Sequence, residues 1–576
     1  MSLPSLLRQA RASAEAGRLD RALDAAERAF RQFPGHPEAS QLFGRLLIQA
    51  ARPAEAVAVF ERAVTASPGR PGPLNDLANA LVAAERHAEA VARWREALRC
   101  ELTFLPAYFG LAHACAAAGD AEAAVQAAEE GLLLHPHSPE LTFQRATALE
   151  AAGRLDEALQ ALDTLAASHP RQVDLLSRRI TLLHYLDRPA ETHAQALRAY
   201  HDALPTPPPA PPCPAADSTR PLRLGVISAD LRTHSVAYFF AALAEQLPPG
   251  LELIVFSTSA PVPADPWNQR FRARARRWLE VATVSDPALE AAIRAEGIDV
   301  LLDLAGHFAG SRLRALDRRP APVIVTAIGY PGSTGHPAVG WRVVDSITDP
   351  PGAEAHATER LLRLDPCFLC YTPPEQAPEP ELPAADAPFT FGCFNLANKI
   401  SDGCLTVWSG ALAAVPDSRL LLKSGAFADA GVRDRLRRRL AAAGIAPERV
   451  TTLPTVPSVQ EHLALYRRVH VALDTLPYSG TTTTCEALWM GVPVLTLLGE
   501  RHAGRVSASL LRAAGCGAWV AETREQFTEL ARGLAADPAT LRAFRTGARE
   551  QLRRSPLLDA RAYADRMAAA LRGLLA

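Results

Sequence analysis

The sequence predicts a helical-repeat array followed by two tandem α/β domains, and three observations carry that prediction. A 34-residue periodicity runs through the first 190 residues. A proline-rich stretch, PTPPPAPPCP at 205–214, then breaks the pattern. Beyond it, short β-branched or leucine-rich runs alternate with amphipathic helical segments. At 576 residues the chain is also longer than one hydrophobic core organises, which fits at least three domains.

In the first part a turn recurs near Gly17, Ala51, Glu85, Gly119, Gly153 and Asp187. An alanine follows in register at Ala22, Ala56, Ala90, Ala124 and Ala158. Prolines close the unit at Pro34, Pro68, Pro136 and Pro170, with Leu102 at the position where one is missing. A helix–turn–helix period of 34 with small residues in register is the tetratricopeptide (TPR) signature. The small residues let paired helices pack closely, and each proline ends a second helix. We assign 1–204 to this array. Stacked repeats form a superhelix whose concave face suits an extended peptide or a protein partner. The same array also suits a homodimer contact or a rigid spacer. Residues 205–220 read as a stiff polyproline II linker.

After the linker, LRLGVIS (222–228), LELIVFS (251–257), IDVLLDLAG (298–306) and PVIVTAIGY (322–330) read as buried strands separated by helices. A proline- and acid-rich interruption, TPPEQAPEPELPAADAP, covers 372–388. The alternation resumes with FTFGCFN (389–395), SRLLLKS (418–424), VHVALDT (469–475) and VPVLTLL (492–498). Alternation of this kind implies parallel sheets covered by helices on both faces, here in two lobes, 221–371 and 389–576. Ligands of open parallel sheets bind outside the carboxyl ends of the strands, often against helix N-termini, so chemistry is expected in the loops that follow strands.

Those loops hold the candidate residues. In YSGTTTTCEALWMG (478–491), four threonines follow a glycine and lead into an apolar helix. Free N–H groups and the helix dipole favour an anion there, and threonine hydroxyls add donors without charge. Glu486, one turn in, is placed to accept ribose hydroxyls. Thr483 and Glu486 also match a capping box, which one threonine would satisfy. Lys399 ends FGCFNLANKI, after a strand and before a helix starting near Ser401, where it can neutralise a diphosphate. His462 lies one turn into a helix that Ser458 and Glu461 cap, a setting that favours a neutral ring able to stack on a base. In the first lobe, SADLRTH presents His234, DLAGH presents Asp303 and His307, and GYPGSTG (329–335) allows close backbone approach to a ligand. All three loops are expected to face the inter-lobe cleft.

Bulk properties exclude other classes. The net charge is −1, from 61 basic and 62 acidic residues, which argues against a nucleic-acid partner. Nine scattered cysteines suggest no disulfide framework and a reducing compartment. Cys367-x-x-Cys370 lacks a partner pair at zinc spacing and reads as packing. No run approaches the length of a membrane span, so we expect no membrane partner and a cytoplasmic location. The excess of alanine, arginine and proline fits a bacterial chain. No Asp-x-Asp stretch of the kind that holds a divalent metal on a nucleotide occurs, so metal-independent chemistry without a cofactor is expected.

TPR repeats followed by SADLRTH, DLAGH, RPAPVIVTAIGYPGSTG, FGCFNLANKI, PSVQEHLALY and LDTLPYSGTTTTCEALWMGVPVLTL resemble the O-GlcNAc transferases of eukaryotes and their bacterial homologues. The plant O-fucosyltransferase SPINDLY is similar too. The resemblance implies a GT-B fold, two Rossmann-like lobes with the sugar nucleotide between them, and inversion without a metal. It implies that His234 lies near the donor sugar, that Lys399 contacts the diphosphate and that His462 stacks on the uracil. By the same resemblance Thr481, Thr482 and Thr483 bind phosphate, Glu486 holds the ribose, and Pro331 and Gly332 line the sugar pocket. Three features depart from the animal pattern. Leu396 replaces a glutamine, Thr481 replaces a histidine, and only the short 372–388 stretch stands for a large insert.

The function expected is therefore transfer of GlcNAc from UDP-GlcNAc to Ser or Thr of a protein acceptor recognised through the TPR groove. Lys399 and the threonine helix mouth would stabilise the leaving diphosphate. His234 would orient acceptor or sugar, or act as general base. The alternatives are fucosyl transfer from GDP-fucose, a catalytically inactive TPR scaffold, and transfer to a glycan, lipid or small molecule.

Overall fold

The computed structural model describes residues 2–16, 18–213 and 220–575, so the first turn, at Gly17, and the end of the linker lie outside the described residues. The chain divides into two compact units, 1–165 with 429–432, and 166–428 with 433–576.

The first unit is built of antiparallel helix pairs. They are Leu3–Glu15 with Leu19–Gln32, Pro37–Gln49 with Pro53–Ala66, and Pro71–Ala83 with His87–Cys100. Leu105–Ala117 with Ala121–Leu134 and Pro139–Ala151 with Leu155–Ser168 complete the set. The in-register alanines Ala22, Ala56, Ala90, Ala124 and Ala158 are all fully buried. A Cβ on Gly110 would fall 2.2 Å from the Trp94 ring, so the helices approach too closely there for any side chain. The recurring turn has a left-handed residue at Ala51, Glu85, Gly119 and Gly153, the position glycine fills without strain.

The second unit opens with one further helix pair, Val173–Leu183 and Ala190–Ala203, which the periodicity assigns to the repeats. This pair packs on both α/β lobes. Ser177 Oγ lies 2.8 Å from His307 Nδ1, and His184 Nε2 lies 2.7 Å from the Tyr330 hydroxyl. From the other lobe, Arg501 donates to the carbonyls of Leu183 and Leu186 at 3.3 and 3.4 Å, satisfying acceptors that a helix end leaves open.

The first lobe holds β1 (Leu222–Ser228), β2 (Leu251–Ser257), β3 (Arg277–Glu280), β4 (Val300–Asp303), β5 (Val323–Thr326), β6 (Trp341–Val344) and β7 (Arg360–Arg363). The second holds β8 (Thr390–Cys393), β9 (Arg419–Lys423), β10 (Val450–Leu453), β11 (Val471–Leu473), β12 (Val494–Leu497) and β13 (Val520–Ala521). The strand orders are β3-β2-β1-β4-β5-β6-β7 and β10-β9-β8-β11-β12-β13. Every pairing is parallel. In each sheet the order reverses between neighbouring strands, β1 and β4 in the first, β8 and β11 in the second. Such switch points open a crevice at the carboxyl ends of the strands.

The C-terminal helix Ala560–Gly573 packs against Ser235–Glu245 of the first lobe, and Tyr563 donates to the Phe368 carbonyl at 3.1 Å. The first lobe's helical layer thus includes a helix that the sequence groups with the second. Among the described residues, no helix is long and apolar enough to cross a membrane.

Candidate active site

A cleft of about 520 Å³ lies where the loops after β1, β4, β5, β8 and β11 converge. His234, Pro331, Lys399, Thr481, Thr482 and Thr483 all line it.

The threonine run divides its labour. Thr481 is the N-cap of the helix Thr482–Trp489 but makes no side-chain cap bond, so the capping box read from Thr483 and Glu486 does not form. Thr483 instead donates to Asn395 Oδ1 at 2.6 Å, and Thr484 shares a 2.8 Å hydrogen bond with Ser507 away from the cleft. The turn before the helix is held by Asp474, whose Oδ1 accepts from the N–H groups of Thr475 and Gly480 at 2.8 and 2.7 Å. Thr496 fills its other oxygen at 2.7 Å.

Lys399 is buried and donates to the Ser479 carbonyl at 2.8 Å, with Nζ 3.5 Å from the centre of the Tyr478 ring. Burial pulls its ammonium down to about 8, against the opposing pull of Asp474. An ammonium this poorly solvated is a strong partner for an incoming anion.

Glu486 and His462 do not line the cleft. They bind each other, Nε2 to Oε2 at 3.0 Å, and Lys423 Nζ lies 3.1 Å from His462 Nδ1. Lys423 escaped the sequence reading because it sits inside a strand run rather than after one. Burial moves its ammonium down, and Glu486 opposes that shift.

In the first lobe His234 caps the helix Ser235–Glu245, accepting from the Val236 N–H at 3.3 Å, with Asp230 Oδ1 3.6 Å from the same nitrogen. Two expectations are corrected here. Asp303 and His307 do not face the cleft. Asp303 is buried and accepts from the N–H groups of Ala305 and Gly306, so it shapes its own turn. His307 spends both ring nitrogens on Ser177 Oγ and the Thr334 carbonyl. Of the GYPGSTG loop, Gly329 and Pro331 line the cleft and Gly332 does not. A Cβ on Gly329 would fall 1.9 Å from the Leu304 carbonyl oxygen, and one on Gly332 2.8 Å from the His184 ring. These glycines are required by neighbouring protein atoms, and of the predicted pair only Pro331 reaches the cleft.

Several lining residues were missed, among them Tyr185, Asn395, Tyr478 and His502. Asn395 and Tyr478 lie inside stretches the sequence had marked, and His502 follows β12 in the same strand-to-loop arrangement. Tyr185, from the helix pair, carries no such signal.

With that geometry in hand, the chain matches the model of Glycosyl transferase family 41 over residues 202–371 and 380–567. It belongs to glycosyl transferase family 41. Tetratricopeptide repeat models match 7–71, 75–139 and 116–179. Among relatives of this family 41 chain is the probable UDP-N-acetylglucosamine–peptide N-acetylglucosaminyltransferase SPINDLY of Arabidopsis thaliana, 39% identical over 365 residues, 62% of this chain and 40% of that protein. The similarly named SEC of the same plant is 29% identical over 350 residues, 59% of this chain and 35% of SEC. The family 41 chain therefore spans about two fifths or less of the curated relatives it matches. A solved structure, a lysine-to-methionine variant of Thermobaculum terrenum O-GlcNAc transferase, superposes with a TM-score of 0.65 at 30% identity. That match covers 100% of this chain and 97% of the other.

Proposed function

We propose that this chain is a protein O-glycosyltransferase that moves GlcNAc from UDP-GlcNAc to Ser or Thr hydroxyls, with inversion and without a metal. One observation carries the reading: Lys399 and the Thr481–Thr483 helix mouth meet His234 and Pro331 around a single cleft. A diphosphate seated at that helix mouth would leave with growing negative charge, and the buried ammonium of Lys399 would meet it. Electrostatic stabilisation of this kind acts without a bound ion, and removing one such donor costs on the order of 10²–10³ in rate. For the base and ribose, His462 and Glu486 are held together as a pair beside Lys423, a polar set suited to a nucleoside once their mutual bond opens. The TPR array is the proposed acceptor-recognition element, and the cytoplasm the proposed location.

A second reading keeps the site and changes the donor to GDP-fucose. Leu396, 59% exposed and lining the cleft, stands where the animal pattern supplies a glutamine contact to the diphosphate, so this reading rests on a departure from the pattern of the UDP-GlcNAc-using animal enzymes.

Thermal stabilisation by UDP, GDP, UDP-GlcNAc and GDP-fucose distinguishes them. A ligand at about 100 times its Kd adds about 2.7 kcal/mol to the apparent stability. Stabilisation by the uridine pair supports the first reading, and stabilisation confined to the guanosine pair replaces it with the second. No shift with any of the four removes the donor assignment.

A further inference from the structure

Two histidines line the cleft, and the structure holds them in opposite tautomers. His234 Nδ1 accepts the Val236 N–H. A backbone N–H can only donate, so that nitrogen keeps its lone pair. Burial pushes this imidazole down, with Asp230 opposing, so the ring is neutral and its one proton sits on Nε2. His234 therefore offers a donor.

His502 is held the other way. Its Nδ1 lies 2.5 Å from Asp349 Oδ2. A carboxylate can only accept, so Nδ1 carries the proton and Nε2 keeps the lone pair. Burial alone would push the Asp349 carboxyl up. The contacts with His502 and with Arg342, 2.6 Å from Oδ1, outweigh it and hold Asp349 well below the usual carboxylate range. The ring is fixed from both sides. Phe368 meets it edge-on at 5.1 Å between centroids, and its loop is pinned where the Ser479 N–H and hydroxyl both donate to the Ala503 carbonyl at 2.9 Å. Arg342 lies on β6 and Asp349 follows it in the first lobe, whereas His502 follows β12 in the second.

We propose that His502 is the general base of the transfer, with Asp349 and Arg342 as positioning residues, and that His234 serves as a hydrogen-bond donor to sugar or phosphate. The inference rests on the transferase reading above. The acceptor hydroxyl oxygen forms a bond to the anomeric carbon as the bond from that carbon to the phosphate oxygen breaks. The hydroxyl proton passes to His502 Nε2, and the bonding pair leaves with the nucleoside diphosphate. The imidazolium formed is stabilised by Asp349 and returns its proton to solvent. A base oriented through its second nitrogen by a buried carboxylate is the arrangement such chemistry requires.

The charged and titratable groups around His502 are Asp349 and Arg342 on the first-lobe side, Arg505 on its own second-lobe segment, and His184 on the helix-pair side. Lys399, His234, Asp230 and Tyr478 share the cleft. His184 is pushed well down by burial and Tyr478 well up, while Lys399 titrates near 8, on the alkaline side.

The test uses the full-length chain, with nucleotide release from UDP-GlcNAc and GDP-fucose followed from about pH 5 to 9, water or a Ser/Thr peptide as acceptor. His502→Gln is expected to lower kcat by about 100-fold or more, to leave UDP or GDP affinity within about threefold, and to remove the acidic limb. His234→Gln is expected to weaken donor binding and keep that limb. Unchanged kcat in His502→Gln, a surviving acidic limb, or parallel loss of nucleotide binding overturns the proposal. If His502→Gln fails to fold, Asp349→Asn decides, and normal kcat with an unmoved limb overturns it. A wild-type chain that releases nucleotide from neither donor overturns the transferase reading itself, whereas wild-type release with an unaffected His502→Gln overturns only the base.

Discussion

Lys399 joins a cost in stability to the proposed function. The unfolded chain holds this proton up to the ordinary 10.5, whereas the folded chain releases it near 8. Between those values the unfolded state binds more protons, so stability from this group rises with pH, and below about 8 the cost of burying the cation is present in full. Binding of an anion needs the cation. UDP or GDP affinity, by titration calorimetry, is therefore expected to fall as pH rises through about 8. Lys399→Ala is expected to abolish transfer, a loss of at least about 10²-fold, with its melting temperature at pH 7 unchanged or raised. Normal turnover in that variant would sink the leaving-group argument. Lys399 and the three lining threonines were legible because each lies between a strand and the body of the helix that follows it. Asp303 and His307 follow strands too, yet turn inward. Sequence cannot say whether a loop side chain caps its own turn or faces the cleft, and both of theirs found backbone or hydroxyl partners inside the fold.

The helix Thr482–Trp489 shows how one element holds two roles on roughly opposite faces, two residues apart. Thr482 lines the cleft, and Thr484 is buried against Ser507. Thr482→Val is expected to weaken nucleotide binding without moving the melting temperature. Thr484→Val is expected to do the reverse, destabilising by about 0.5–1.5 kcal/mol, because Ser507 Oγ, which itself donates to the Gly480 carbonyl, loses the hydrogen bond it accepts from Thr484. Calorimetric titration and thermal melts of both variants check the pair, and a common effect would mean that the run acts as one unit. Strands follow a related logic. The seven-residue β1 and β2 were read in place, while β3, β6, β7, β10 and β13 were missed. Shortness is not the reason, since β4, β5, β8, β11 and β12 are as short and were read. The strands β3, β7, β10 and β13 are the sheet edges, with few buried residues, and so lack the continuous apolar run of a central strand.

For the whole chain, the decisive segment is the helix pair Val173–Leu183 and Ala190–Ala203. Its repeat periodicity was legible, but periodicity records only that helices pair, and its packing on the lobes depends on partners far along the chain. Two truncations separate these properties. A chain of residues 171–576 is expected to fold, to keep its nucleotide-induced thermal shift and to lose transfer to protein acceptors. A chain of residues 205–576 is expected to lose the thermal shift as well, because Tyr330 and Arg501 lose their partners and Tyr185 is gone from the cleft. Equal nucleotide binding by both would show the pair to be dispensable for the site. Retained protein transfer by residues 171–576 would remove the repeats from acceptor recognition.

The bond from Arg501 to the Leu183 carbonyl spans 318 residues of sequence. At about 5–20 residues per second, ribosomes take roughly 15–60 s to make the intervening chain. Throughout that interval the Leu183 and Leu186 carbonyls and the Tyr185 ring lack their second-lobe partners, and until the first lobe is made His184 lacks Tyr330 as well. Newly made chains thus pass through a long sticky phase, and slowed elongation or early termination within the second lobe would yield aggregates more readily than a break before the helix pair.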